Sequence, residues 1–189
     1  LGNHNPSNMH PEKLGAETMR LARGLKHLTV RVLNKKEIAA EKMGGLLGVA
    51  AGSDRPPTFI VLNYQGGKKG DAPTVFVGKG VTFDAGGISI KPSAKMDEMK
   101  FDMMGGATVI GALIAIAKLQ LPVNVVGLVP ATENLPSGTA MMPGDILRMH
   151  SGKTVEVLDT DAEGRLILAD ALSFARRFKP KQVIDLATL

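Results

Sequence analysis

Cysteine is absent from all 189 residues. That excludes a disulfide framework and any thiolate metal site, and it agrees with a reducing compartment. Tryptophan is absent too and tyrosine occurs once, so aromatics reach only 4%. A nucleic-acid surface would set aromatic platforms or a reading helix beside its basic patches. The basic clusters "LNKKEIAAEK", "GGKKGD" and "ARRFKPK" therefore read as solvated surface, despite a net charge of +5. No apolar run reaches the roughly 20 residues that span a bilayer; the longest surrounds "VIGALIAIA". The opening "LGNHNPSNMHPEKLG" has neither a basic n-region nor an apolar h-region, so it does not read as a signal peptide.

What is present suits one soluble domain with a real core: 44% hydrophobic and 22% charged residues. Helical spacing marks "PEKLGAETMRLARGLKHL", "KKEIAAEKMGGLLGVAAGS", "MMGGATVIGALIAIAKLQL" and "AEGRLILADALSFARRF". The third of these is apolar nearly all round and so is expected to be buried. Strand patterns mark "TVRVLN", "PTFIVLNY", "PTVFVG", "VNVVGLVPA", "TVEVLD" and "QVIDLATL". The turn signal "QGGKKGDA" between "PTFIVLNY" and "PTVFVG" predicts a hairpin. Alternating strands and helices predict an α/β fold of three layers, with helices on both faces of a mixed, largely parallel sheet. Sites in such sheets form beyond the carboxyl ends of the strands.

"DTDAEGRLILAD", Asp159 to Asp170, matches much of a calcium loop, with acids at positions one, three and five, glycine at six and a carboxylate at twelve. An EF-hand needs a helix on each side. Here the incoming "KTVEVLD" reads as a strand, position five is Glu163 and position twelve is Asp170 rather than glutamate. Calcium is thus a minor alternative. "SGKT", Ser151 to Thr154, ends like a phosphate loop, but Leu147 stands where the first glycine belongs. No H-E-x-x-H helix exists, and His4, His10, His27 and His150 are scattered.

A second charged block, "VGKGVTFDAGGISIKPSAKMDEMKFDMMGG", holds Lys79, Asp84, Lys91, Asp97 and Asp102. Each of these residues has a structural explanation by itself; Asp102, for one, suits the dipole at a helix start. Two acid-and-lysine clusters, each falling just beyond a predicted strand, point instead to a site. Carboxylates without thiolates or paired histidines favour oxygen-liking divalent ions. Bridging carboxylates can hold two such ions around one acidified water.

"TDAEGRL" (Thr160 to Leu166), "VGKGVTFDAGGISIKP" and "MKFDMMGGA" together closely resemble the leucyl aminopeptidase family, also called cytosol aminopeptidases, peptidase family M17. The resemblance runs from "NPSNMHPEKL" to "VIDLATL". It implies a cytoplasmic, two-metal exopeptidase that removes N-terminal residues, often leucine, from peptides, and that assembles as a hexamer. By match to the family's motif, Lys79, Asp84, Asp102 and Glu163 would hold one divalent ion, Mn²⁺ or Zn²⁺. Asp84, Asp161 and Glu163 would hold the other. Lys91 would polarise the scissile carbonyl, and Arg165 would hold a carbonate-like anion that takes the proton of the bridging water. Met99 and Thr188 would line the pocket for the first side chain. Asp159 stands where the family's signature usually begins with Asn. Residues 1–189 are expected to form the N-terminal part of the catalytic domain, without the preceding N-terminal domain or the C-terminal remainder. Alone, they are expected to have little activity, whether as a fragment of the enzyme or as an inactive binding or assembly element.

Overall fold

Alternation along each strand decides which residues meet which helix layer. In the computed structural model, which describes residues 1–188, a six-stranded sheet runs in the order β1-β2-β5-β3-β8, with β4 also paired to β5. The strands are β1 (Leu28–Leu33), β2 (Thr58–Gln65), β3 (Thr74–Gly78), β4 (Gly80–Asp84), β5 (Asn124–Asn134) and β8 (Gln182–Leu186). Leu189, the last residue of the expected strand "QVIDLATL", lies outside the described residues. Val125 and Val129 of β5 and Ile60 and Leu62 of β2 face α1 (Pro11–Ala22) and α4 (Met104–Lys118). Val126, Leu128 and Phe59 face the other way, onto α2 (Lys35–Ala40), α3 (Gly44–Val49) and α5 (Glu163–Ala175). Each fully buried Leu, Ile or Phe contributes about 1.5–3 kcal/mol of transfer free energy, so these two clusters are what holds the layers together.

The sheet is mixed: β3 and β4 pair with β5 in parallel, as β8 does with β3, whereas β2 pairs antiparallel with both β1 and β5. The expected hairpin between β2 and β3 does not form. β5 lies between them, pairing with β2 on one side and β3 on the other. The turn residues at 66–73 therefore connect strands that are not neighbours. The single helix expected over "KKEIAAEKMGGLLGVAAGS" is two. Lys42 takes a left-handed φ of 59° between them, and Met43 is fully buried at the break. "TVEVLD" also departs from expectation. Its Thr154–Glu156 forms strand β7, which pairs only with β6 (Ile146–Arg148) in a separate hairpin. "SGKT" is the turn of that hairpin, with Gly152 at φ 85° and Lys153 exposed.

With its leading 3-10 turn, the helical stretch Met96–Lys118 reaches 23 residues, long and apolar enough by composition to cross a bilayer. α4 itself covers 15 residues and buries Val109, Ile110, Leu113 and Ile114 against the sheet, as the core helix of a folded domain does.

Three local features place the site. β3 and β4 follow one line along β5, broken at Lys79, whose N–H donates to Leu186 O (3.0 Å) and whose carbonyl accepts from Gly106 N (2.7 Å). The break turns the Lys79 side chain toward the strand ends. Gly105, at the start of α4, packs its Cα against the Leu186 carbonyl, where any Cβ would collide. β5 runs three residues beyond the expected "VNVVGLVPA", which carries Asn134 to the same end of the sheet.

Candidate metal centre

Asp84 ends β4, Asp102 follows the 3-10 turn Met96–Phe101, and Glu163 opens α5 after the 3-10 turn Thr160–Ala162. Asp159 starts that last turn by accepting the N–H of Asp161 on its own Oδ1 (2.9 Å). An asparagine has the same Oδ1 acceptor, so the acid found here meets the local need. Asp161 and Glu163 thus reach the site from the loop after the small hairpin, not from a strand of the main sheet. The carboxyl-edge argument holds for Asp84 and fails for these two.

Carboxylate oxygens of Asp84, Asp161 and Glu163 all lie within 4.8 Å of one another. Around them are two ammonium groups. Lys79 Nζ sits 2.8 Å from Asp102 Oδ2, 2.8 Å from Glu163 Oε1 and 2.7 Å from Thr188 O. Lys91 Nζ sits 3.0 Å from Asp84 Oδ2 and 2.6 Å from Asp161 Oδ1. Asp102 Oδ2, Asp161 Oδ1 and Glu163 Oε1 are close enough to these ammoniums for ion pairing but lack hydrogen-bond angles. The contacts are better described as charge pairs than as directed bonds. Glu163 Oε2 is buried with no partner of either kind.

Burial acts against the charges of Glu163, Asp102, Lys79 and Lys91. It pushes Glu163 up from 4.5 to about 7, with the Asp84 charge adding to the effect and Lys79 opposing it. Asp102 is raised as well, chiefly by burial, while Lys79 and the Thr188 hydroxyl (2.6 Å from Asp102 Oδ1) pull it back. For Lys79 burial favours the neutral amine, but Glu163 and Asp102 outweigh it and hold the proton on. Lys91 is held charged in the same way by Asp161 and Asp84. Four carboxylates face two ammoniums, so with all four ionised the cluster carries excess negative charge at a largely buried place.

That donor set fits divalent cations. The ligands are oxygens, one buried oxygen has no other use, and the charge needs compensation. Next to it is a cavity of about 260 Å³, lined by Lys79, Asp84, Lys91, Met99, Asp102, Asp161, Arg165 and Thr188. All nine residues that the resemblance assigns to the site therefore meet at this one place, with Glu163 buried beside the cavity. Asp97 does not join them and lies exposed on the Met96–Phe101 turn. A larger cleft of about 600 Å³ opens at the other end of the sheet, between Asn63, Asn124 and Lys179. It gathers no cluster of carboxylates, and size alone does not make a site.

The calcium-loop alternative fails on geometry. Residues 163–175 are helix, so Asp170 sits two turns beyond Glu163 and accepts the N–H groups of Leu46 (3.0 Å) and His150 (2.8 Å). It is fully buried and cannot share an ion with Asp159. His4 and His10 lie in a separate hollow with Lys13 and Arg20, away from the carboxylates.

Sequence reasoning missed the groups that hold this arrangement together. Asn134 Nδ2 donates to Asp84 Oδ1 (2.9 Å) and to Thr160 O (3.0 Å). Thr160 Oγ1 donates to Gly86 O (2.6 Å) and accepts from Ser89 N (2.8 Å). No motif spacing announces them, because the partners are far apart in the chain.

A family model described as the cytosol aminopeptidase family, catalytic domain, matches residues 1–189. The chain belongs to that family. A probable cytosol aminopeptidase of Pseudomonas syringae pv. tomato is 59% identical over 189 residues, which is all of this chain and 38% of the relative. A cytosol aminopeptidase of Pseudomonas aeruginosa is 57% identical over the same span, again 38% of its length. Among solved structures, the cytosol aminopeptidase of Coxiella burnetii superposes with a TM-score of 0.93 at 35% identity, covering all of this chain and 40% of that one. The bottromycin maturation enzyme BotP in complex with Mn gives 0.91 at 39% identity, covering all of this chain and 41% of BotP. The chain thus spans well under half the length of the cytosol aminopeptidases it matches.

Proposed function

We propose that this chain carries the metal centre of an aminopeptidase that hydrolyses the N-terminal peptide bond of peptides, with leucine and similar residues preferred. The observation that carries the reading is the convergence of Asp84, Asp161 and Glu163 oxygens within 4.8 Å, beside a cavity that also holds two lysines and an arginine. In this reading Lys79, Asp84, Asp102 and Glu163 hold one divalent ion, and Asp84, Asp161 and Glu163 hold a second. The ions are Mn²⁺ or Zn²⁺; the Mn named in the BotP complex supports the first. Bound there, two ions supply Lewis acidity and a water nucleophile at neutral pH.

The residues of the chain do the rest. Lys79, whose ammonium faces Asp102 and Glu163, would serve as a ligand only as the neutral amine, its proton passing to solvent when the cation takes its place. Lys91 leaves Asp84 and Asp161 and donates to the scissile carbonyl oxygen, supporting the negative charge that develops there. Arg165, exposed on the first turn of α5, holds a carbonate-like anion as a proton acceptor. Met99 and Thr188 line the space for the first side chain. A cytoplasmic homo-hexamer acting on peptides completes the proposal, by family likeness.

The test is metal-dependent turnover. The gene product is stripped with a chelator, reloaded with Mn²⁺ or Zn²⁺ and assayed on a leucine anilide. Two ions per chain and restored hydrolysis are expected. Metal binding without hydrolysis would leave a binding or assembly element in place of an enzyme.

A further inference from the structure

Asp84 has two carboxylate oxygens, and they are used differently. Oδ1 accepts from Gly86 N (2.9 Å) and from Asn134 Nδ2 (2.9 Å). Oδ2 has no such donors and faces Lys91 Nζ (3.0 Å). The division fixes the plane of the carboxylate and leaves one defined oxygen for a cation. Asn134 does more than this. Its amide donates to Thr160 O (3.0 Å) as well, so both of its N–H bonds are used, one on each half of the site. Thr160 directly precedes Asp161 and lies three residues before Glu163.

Strand pairing does not require this side chain. Asn134 is in register with Asp84, and its backbone carbonyl already accepts from Ala85 N (2.9 Å). The side chain is only 2% exposed and points into the gap between the two loops, where its Oδ1 lies against Gly87. A Cβ on Gly87 would come within 2.8 Å of that oxygen, and Gly87 holds a φ of 68°. The loop is therefore shaped around the asparagine.

We propose that Asn134 is a positioning residue for the metal centre: it sets the distance between Asp84 and the Asp161–Glu163 loop and commits Asp84 Oδ1 away from the cation. The proposal rests on the two-metal reading above. Groups that orient ligands in this way typically change metal affinity or activity about 10- to 100-fold when lost.

The experiment is Mn²⁺ titration of the gene product by calorimetry, with melting temperature and leucine-anilide kinetics measured on the same samples. Wild-type protein is titrated first; failure to bind would sink the two-metal reading itself, independently of Asn134. Asn134→Ala should weaken Mn²⁺ binding at least about tenfold and lower kcat at saturating metal, with KM changed less than about twofold. Asn134→Leu fills the same space without donors and should lose affinity in the same way, whereas a packing role would be rescued by it. It also serves if the alanine variant does not fold. Asn124→Ala is the control. Asn124 sits at the other end of β5, where its side chain holds Lys68 O, Asp71 O and Gly67 N. Its loss should lower the melting temperature and leave Mn²⁺ affinity unchanged. Wild-type affinity in Asn134→Leu, or an equal loss in Asn124→Ala, would overturn the proposal.

Discussion

Glu163 and Lys91 are both charged residues of one cluster, yet their surroundings assign them different work. Glu163 is fully buried, with Oε1 against Lys79 and Oε2 without a partner. Lys91 is partly exposed at the cavity and pairs with two carboxylates that are themselves candidate ligands. Glu163→Ala should therefore lower metal affinity by at least about 100-fold. Lys91→Ala should keep its metal and lose about 10²–10³ in kcat. Metal analysis beside kinetics separates the two, and equal metal loss in both would refute the division.

The same glutamate predicts a pH dependence. Its carboxyl titrates near 7 when folded, against an ordinary 4.5. Between those values the folded, metal-free chain keeps a proton that the unfolded chain has lost. The contribution of this group to stability is thus greatest below about 4.5 and is lost as pH rises toward 7. A cation needs the Glu163 carboxylate and the Lys79 amine deprotonated, so Mn²⁺ binding should tighten as pH rises and should release one more proton below about pH 7 than above it. Calorimetry in two buffers of different ionisation enthalpy reads that proton directly. Affinity that stays flat from about pH 5.5 to 7.5 would count against it.

Among the elements, α5 does two jobs from one face. Its first residue, Glu163, enters the site, and Asp170, two turns later, clamps α3 and the β6–β7 hairpin. Burial raises the Asp170 carboxyl, and the N–H groups of His150, Leu46 and Gly45 oppose that rise. His150 Nδ1 adds a 2.8 Å contact to Ser173 Oγ on the same helix. Asp170→Ala would leave a buried N–H group (Leu46) and a partly buried one (His150) without a partner, at about 1–3 kcal/mol each. A fall in melting temperature of roughly 5–15 °C is expected, with Mn²⁺ affinity changed little. Comparable loss of metal would mean that the clamp also sets the position of Glu163.

For the whole molecule, the decisive feature is β8. It pairs with β3 on one side, and its Val183 and Ile184 are 40% and 43% exposed. A strand so open on its faces and at its edge is poorly held. β8 leads directly to Thr188, which holds both Lys79 and Asp102. Residues 1–189 expressed by themselves should bind metal but turn over a leucine anilide far more slowly than the Pseudomonas aeruginosa cytosol aminopeptidase. Comparable rates would show that these residues suffice for catalysis.

How much could be read from the sequence differs with range. The α/β class, the buried α4 and the two charged clusters were legible, because each depends on periodicity or on residues close together in the chain. The β2–β3 hairpin was misread because a turn signal is local, whereas β5, some fifty residues later, inserts itself between the two strands. The break at Lys42 was missed because the burial of Met43 overrides a continuous helical pattern. The types of the candidate ligands were thus legible in the sequence. Their geometry was decided by tertiary structure: Asn134 ties Asp84 to Thr160, the residue before Asp161, and Lys79 is aimed by a strand break tied to Leu186 and Gly106. Hydrogen bonds between residues tens of positions apart leave no period or spacing in a chain, so only the folded molecule reveals them.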